Sequence, residues 1–289
     1  MLRAEVGALT GLPKSVKHNG MRRREIMGAA AAGLAGAMMT GQAAEAGGRD
    51  GVRLDRPRLV NLSHLNDPAT TNVFPGDPPF ELETIATIEH DGYYLQFVRE
   101  GEHTGTHWGA PGHFNAGQPL ADELDLEDLF LPAVKIDVRA QSAKNADYEV
   151  TIADIKAWER RHGRSPAESM VIIWTGWDAR WGTDAYFNFD ADGVMHQPGF
   201  ALDTVQWLVD TGRLGRRGGT GTDTFSPDVG TDTTYAVSLL VYQRHRISLE
   251  ILANLAALPP TGAYVLCGGH INKAGAGSTA LIYGIIPPS

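Results

Sequence analysis

Gly101-Glu102-His103-Thr104-Gly105-Thr106-His107-Trp108-Gly109-Ala110-Pro111-Gly112-His113-Phe114 places three of the chain's ten histidines in one short run. The spacing is H-x3-H-x5-H, and the glycines and proline between the imidazoles are residues that a helix interior does not tolerate. A helical metal site is therefore excluded. If the run is extended, two-residue alternation puts His103, Gly105, His107 and Gly109 on one face, and Gly105 lets another group approach between the rings. A tight cluster of neutral imidazoles is a common donor set for a transition metal. The same spacing suits a solvated, histidine-rich loop, and the residues alone leave both readings open.

The chain of 289 residues is 43% hydrophobic and 20% charged, enough for a sizeable globular core. Its net charge is −9, but Arg3, Lys14, Lys17 and Arg22-Arg23-Arg24 against Glu5, Glu25 and Glu45 give residues 1–46 a net of about +3 and the remainder about −12. An acidic body argues against a nucleic-acid partner. Cys267 is the only cysteine, so there is no intrachain disulfide and no cysteine-based zinc site. It lies in an apolar run and is expected to be buried filler.

Residues 1–46 read as a signal peptide of the twin-arginine type. Arg22-Arg23-Arg24-Glu25-Ile26-Met27 precedes the weakly apolar stretch 28–40, and Ala44-Glu45-Ala46 is a small-x-small cleavage pattern. The stretch is too short and too weakly apolar to be a stable membrane anchor. Export to the periplasm or beyond is the expectation. An alanine-rich tail on a cytoplasmic protein is the alternative, and either Met1 or Met21 suits as the start. Residues 47–57 are a polar, glycine-rich linker.

From residue 58 onward, strand and helix patterns mix without repeat or internal linker, which implies one α/β domain over 58–289. Strands are expected at 59–63, 81–89, 93–98, 133–138, 170–174, 264–267 and 280–286, and helices at 151–161, 198–214 and 247–258. The last of these rests on Leu249, Leu252 and Leu255 at three-residue spacing before Pro259-Pro260.

The histidine run resembles H-x-G-T-H-x-D-x-P-x-H, the signature of the cyclase family of metal-dependent hydrolases, which includes kynurenine formamidases and isatin hydrolases. Further landmarks of that family follow in order: Asn61-Leu62-Ser63-His64 with Phe74-Pro75-Gly76-Asp77, then Trp174-Thr175-Gly176-Trp177, Gly221-Thr222-Asp223-Thr224, and Glu250 before Asn254-Leu255. The resemblance implies a single domain of swivelling β/β/α type with a mixed sheet, assembled as a homodimer or homotetramer. It implies His103, His107 and Glu250 as metal ligands, with His113 as the catalytic histidine that moves protons. Two positions depart from the family. Its metal-binding aspartate is Gly109 here, and a histidine expected twelve residues before the glutamate is Ser238, so one metal rather than two is expected.

Two imidazoles, one carboxylate and a water form a catalytic zinc arrangement on unrelated folds, and such an ion lowers the pKa of its water to about 7. Manganese is an acceptable substitute where oxygen donors weigh more. Trp108, Phe114 and Trp177 are candidate substrate walls, with burial in the core as the alternative for the tryptophans. Asp223 and Asp228 read as turn formers in the stretch 222–228, with replacement of the lost aspartate as the alternative for either, and His64 is expected to be satisfied by local backbone. The expected function is an exported, metal-dependent hydrolase cleaving an amide, lactam or ester bond of a small aromatic or cyclic molecule, in the manner of an arylformamidase. A metal-dependent cyclase or dehydratase, and a catalytically inactive binding protein, are the rivals.

Overall fold

Met170–Trp174 is apolar at every position because both of its faces are covered. Alternation sends Met170 and Ile172 into one hydrophobic layer and Val171 and Ile173 into another. That strand lies in the middle of the fold. The computed structural model describes residues 56–288, so the expected export segment 1–46 and nearly all of the linker 47–57 lie outside the described residues. Among the described residues no helix is long and apolar enough to cross a membrane.

The chain runs through β1 (Arg58–Asn61), β2 (Glu81–Ala86), the single turn α1 (Ile88–Asp91), β3 (Leu95–Arg99) and β4 (His107–Gly109). It continues with β5 (Phe130–Asp137), α2 (Arg139–Ser142), β6 (Glu149–Val150), α3 (Ile152–His162), β7 (Met170–Trp174) and β8 (Gly199–Phe200). There follow α4 (Leu202–Asp210), β9 (Gly219–Thr222), α5 (Ala236–Val241), β10 (Ile247–Glu250), β11 (Ala263–Cys267), β12 (Gly277–Thr279) and β13 (Ile282–Ile286). Nine strands form one mixed sheet in the order β1-β13-β11-β5-β7-β9-β10-β4-β12. The central pairs β5–β7, β7–β9 and β9–β10 are parallel, and the flanking pairs are antiparallel. The result is the mixed α/β domain that the sequence implies.

The helical layer covers one face. Ile155 and Trp158 of α3, Val205 and Leu208 of α4, and Val237, Leu240 and Val241 of α5 pack on Val134, Ile136, Val171 and Ile173. Thr151 caps the start of α3: its hydroxyl accepts from the Asp154 N–H, and the Asp154 carboxylate accepts from the Thr151 N–H in return. The opposite face of the sheet packs under Leu62, Leu252, Leu255 and Leu258. Cys267 is buried there as filler.

The helix expected over 247–258 does not form. Ile247–Glu250 is a strand between β9 and β4, Ile251 and Asn254 take left-handed backbone angles with φ of 57° and 56°, and Leu255–Ala257 is one 3-10 turn. Leu249, Leu252 and Leu255 are all fully buried, but from three different local geometries whose sum imitates a helical period. A β-branched residue in the left-handed region is strained by about 1–2 kcal/mol. The cost is borne at Ile251, directly after Glu250, where its N–H bonds the Thr224 carbonyl and holds the bend. β12 was not expected either, since Gly277-Ser278-Thr279 carries no hydrophobic signal.

Arg213 ties the segment after α4 to α3 through two bonds to Glu159, at 2.8 and 2.6 Å, with both side chains nearly buried. The guanidinium holds the Glu159 carboxyl below its ordinary range. A carboxyl depressed in the folded state stabilises the fold above its unfolded pKa of about 4.3, and that stability is lost as pH falls through the folded value. Glu159→Gln should therefore cost about 2 kcal/mol at pH 7 in urea unfolding. The deficit relative to wild type should shrink as the pH is taken below 4. A deficit independent of pH would show that the charge contributes nothing.

Candidate active site

Gly101–Thr106 is a turn rather than an extended segment, so the two-residue alternation begins only at His107. Gly105 takes φ +60°, and a β-carbon on it would collide with the Asn66 side-chain oxygen. Glycine is needed there on both counts. Thr106 locks the turn: its hydroxyl accepts from the His64 N–H at 2.9 Å and donates to the Ile251 carbonyl at 2.6 Å. The residue before His107 is thereby fastened to the residue after Glu250.

Strand register completes the arrangement. β4 and β10 are antiparallel, with His107 opposite Glu250 and Gly109 opposite Ser248. The Glu250 Oε2 lies 3.1 Å from the His107 Nε2. Nδ1 of His107 is 2.9 Å from the Gly105 carbonyl, which only accepts, so Nδ1 carries the proton. In the neutral ring Nε2 then presents a lone pair to a carboxylate oxygen. Two acceptors at that distance need a cation or a proton between them, and two donors of one tetrahedral ion at about 2.0–2.1 Å lie about 3.3 Å apart.

His103 meets His107 edge-on at 4.9 Å between ring centres and stacks on His113 at 4.0 Å. Its Nε2 is buried with no hydrogen-bond partner. Burial first, then the neighbouring His107 and His113, push its pKa down to about 2, so the ring is neutral and free to donate electrons. His113 is also lowered by burial, against the opposing pull of Glu250. An orphaned nitrogen, a second lone pair and a carboxylate belong to residues lining one cavity, and their chemistry is that of a donor set for a divalent cation, although the donor atoms of all three do not come within 4.8 Å of one another.

The cavity has a volume of about 250 Å³. His103, His107, His113 and Glu250 all line it. Phe74, Phe114, Phe225 and Tyr235 form the apolar remainder, with Asp77, Ser226 and Ser238 as further polar groups. Burial raises the Asp77 carboxyl from its ordinary range, and His107 and His113 oppose that shift. Phe74, Asp77, Phe225 and Tyr235 were not singled out as site residues in the sequence, although the Phe74-Pro75-Gly76-Asp77 landmark contained the signal for two of them.

Of the three aromatic residues expected to touch substrate, only Phe114 lines the cavity. Trp108 is 1% exposed in the hydrophobic core, and its indole N–H donates to the Gly268 carbonyl at 3.2 Å. Strand alternation turns it away from the face that carries His107. Trp177 is 2% exposed, donates to the Tyr186 carbonyl at 2.8 Å, and is covered by the Arg180 guanidinium. Both are structural.

Neither buried aspartate replaces the missing ligand. Asp223 accepts four hydrogen bonds, from the Thr175 N–H and hydroxyl and from the Gly176 and Trp177 N–H groups. Asp228 accepts from the Val237 N–H at 2.7 Å and the Ser238 hydroxyl at 2.5 Å, which fastens the start of α5. His64 departs from expectation: its ring stacks on Trp181 at 4.4 Å and its Nε2 is buried without a partner. Among the described residues, the three donor atoms that come within 4.8 Å of one another are those of Asp125, Asp128 and His245. Arg216 and Arg217 sit on Asp125 at 3.3 and 3.1 Å, so that group is an ion-pair network whose charge is already balanced.

The sequence model of the cyclase family, described as "Putative cyclase", matches residues 60–229. The chain belongs to the cyclase family. The match takes in the histidine run and ends before Glu250. Its curated relatives include the isatin hydrolase of Roseibium aggregatum, 32% identical over 221 residues, which are 73% of this chain and 82% of that protein. Among solved structures, isatin hydrolase A from Labrenzia aggregata bound to benzyl benzoate superposes with a TM-score of 0.74 at 32% identity, covering 80% of this chain and 94% of that one. An isatin hydrolase bound to the product analogue thioisatinate superposes equally well at 28% identity, covering 81% and 94%. Within the cyclase family the kinship of this chain is therefore with hydrolases, and the swivelling β/β/α architecture is shared with them.

Proposed function

We propose that the chain is a metal-dependent hydrolase that opens the amide bond of a small, neutral, cyclic aromatic substrate, a lactam of the isatin kind. One observation carries the reading: the His107 lone pair faces the Glu250 carboxylate in an aromatic-walled cavity that His103, whose Nε2 has no partner, also lines. His103, His107 and Glu250 would hold the ion. Zinc suits the two imidazoles and manganese is the alternative. A divalent cation at that position supplies Lewis acidity and a nucleophile at neutral pH.

The rest follows from the chain's own groups. At about 250 Å³ the cavity is below the roughly 300–1,000 Å³ of pockets for drug-sized ligands, which restricts it to a small molecule. Phe74, Phe114, Phe225 and Tyr235 suit a flat ring and exclude water around it. No lysine or arginine is among the described residues lining the cavity, while Asp77 and Glu250 are, so a substrate anion finds no fixed cation there. His113 is kept neutral by burial, lies against His103, and is placed to carry a proton to the leaving nitrogen, a role worth about 10²–10⁴ in rate.

Purified protein should bind about one equivalent of zinc or manganese and hydrolyse isatin faster than N-formylkynurenine or simple aryl esters. His113→Ala should keep the metal and lose at least about 10²-fold in kcat. Loss of metal in that variant would remove the distinction drawn between His113 and the ligand set. A second reading, an inactive binding protein, is favoured by Gly109 in place of the family aspartate. Saturable isatin binding without turnover in metal-loaded protein would select it. Export through the segment 1–46 is part of the proposal, as is assembly into a homodimer or homotetramer. Cell fractionation and light scattering check these.

A further inference from the structure

The space beside Gly109 is filled from another part of the chain. A β-carbon on Gly109 would collide with the Tyr242 hydroxyl oxygen, and would stand 3.0 Å from the Tyr242 Cζ and 3.1 Å from the Ser248 Oγ. Tyr242 follows the last residue of α5 and is buried. It is delivered there rigidly: the buried Arg246 guanidinium bonds the Val241 and Leu240 carbonyls at 2.7 and 2.8 Å, closing the end of the helix, and Phe114 stacks on the phenol ring.

The hydroxyl also has a directed role. Ser248 donates its single O–H to the Glu250 Oε1 at 2.5 Å, so the bond between Tyr242 and Ser248 must be donated by tyrosine. Ser248 and Glu250 share one face of β10 by two-residue alternation, and stand opposite Gly109 and His107 in register. With Oε1 held by Ser248, Oε2 is the oxygen turned to His107. A glutamate side chain has several rotamers, and this chain of bonds selects one.

We propose that Tyr242 and Ser248 are positioning residues, occupying the space a side chain at 109 would need and fixing the Glu250 carboxylate toward the imidazoles. The role rests on the metal-ligand reading of Glu250 given above. It makes glycine at 109, tyrosine at 242 and serine at 248 one unit: an aspartate cannot be restored at 109 while the phenol stays.

Two measurements test it on the full-length protein. In the first, apo wild type, Tyr242→Phe and Ser248→Ala are titrated with zinc against a chromogenic chelator and with cobalt by visible absorption. Both variants should bind zinc 10- to 100-fold more weakly and change the cobalt spectrum, while still unfolding cooperatively. In the second, the melting temperature is compared across Gly109→Ala, Tyr242→Phe and the double variant. The Gly109→Ala loss should fall by at least half in the phenylalanine background, because the colliding oxygen is gone. Purely additive losses, or a normal wild-type site whose zinc affinity and cobalt spectrum ignore both substitutions, would overturn the positioning role alone. Wild type that takes up neither metal would overturn the preceding functional reading and this role together.

Discussion

His107→Ala should lose its metal and at least about 10³-fold of its hydrolytic rate, with the fold retained. The size of the effect follows from how the ring is held. Nδ1 is bound to the Gly105 carbonyl of a turn that the Thr106 hydroxyl fastens to Ile251, so Nε2 has one available direction, toward Glu250. No neighbouring side chain can swing into that position, since His103 is packed between His107 and His113. Two remaining donors hold a divalent ion poorly, and the catalysis an ion supplies is lost with it. Metal analysis, initial rates on isatin and far-UV circular dichroism together check the expectation. A variant that retains one equivalent of metal places the ion elsewhere.

The second large effect concerns stability. Asp223→Asn should destabilise the protein by about 3–5 kcal/mol, because it turns an amide NH2 group toward donors in a fully buried place. One oxygen faces the Thr175 N–H and hydroxyl and the other faces the Gly176 and Trp177 N–H groups, so either amide orientation opposes donor to donor. The turn that opens would carry Trp177 with it, and with Trp177 the contact to Tyr186, whose hydroxyl bonds the Asp223 carbonyl. Urea unfolding followed by tryptophan fluorescence measures this. A loss under 1 kcal/mol would mean that the carboxylate is not needed in its charged form.

The histidine run was legible because imidazoles among glycines have few structural uses. Its neighbours were less so. Trp174-Thr175-Gly176-Trp177 and Thr222-Asp223-Thr224 were recognisable as family landmarks, yet the residues say nothing of why they occur together. The structure shows Asp223 latching one to the other behind the cavity. Trp108 and Trp177 were open to two readings, because an indole next to a metal motif is equally suited to core and to pocket, and only strand alternation and the partner of each N–H decide. Glu250 could be named only through the resemblance, and its setting was misjudged: three leucines at helical spacing hid a strand, a left-handed bend and a 3-10 turn. Tyr242 was beyond reach, since its meaning depends on an absence at Gly109 that is distant in sequence and adjacent in space.

The bond from Thr106 to Ile251 spans 145 residues. Half of the proposed metal cradle is thus synthesised early, and it has no counterpart until most of the polypeptide has been made. A nascent chain halted before β10 would offer two imidazoles and nothing opposite them, so tight capture of a cation can only follow long-range strand pairing. Uptake of metal would then report that a molecule has finished folding, and premature or mistaken loading would be discouraged by topology alone.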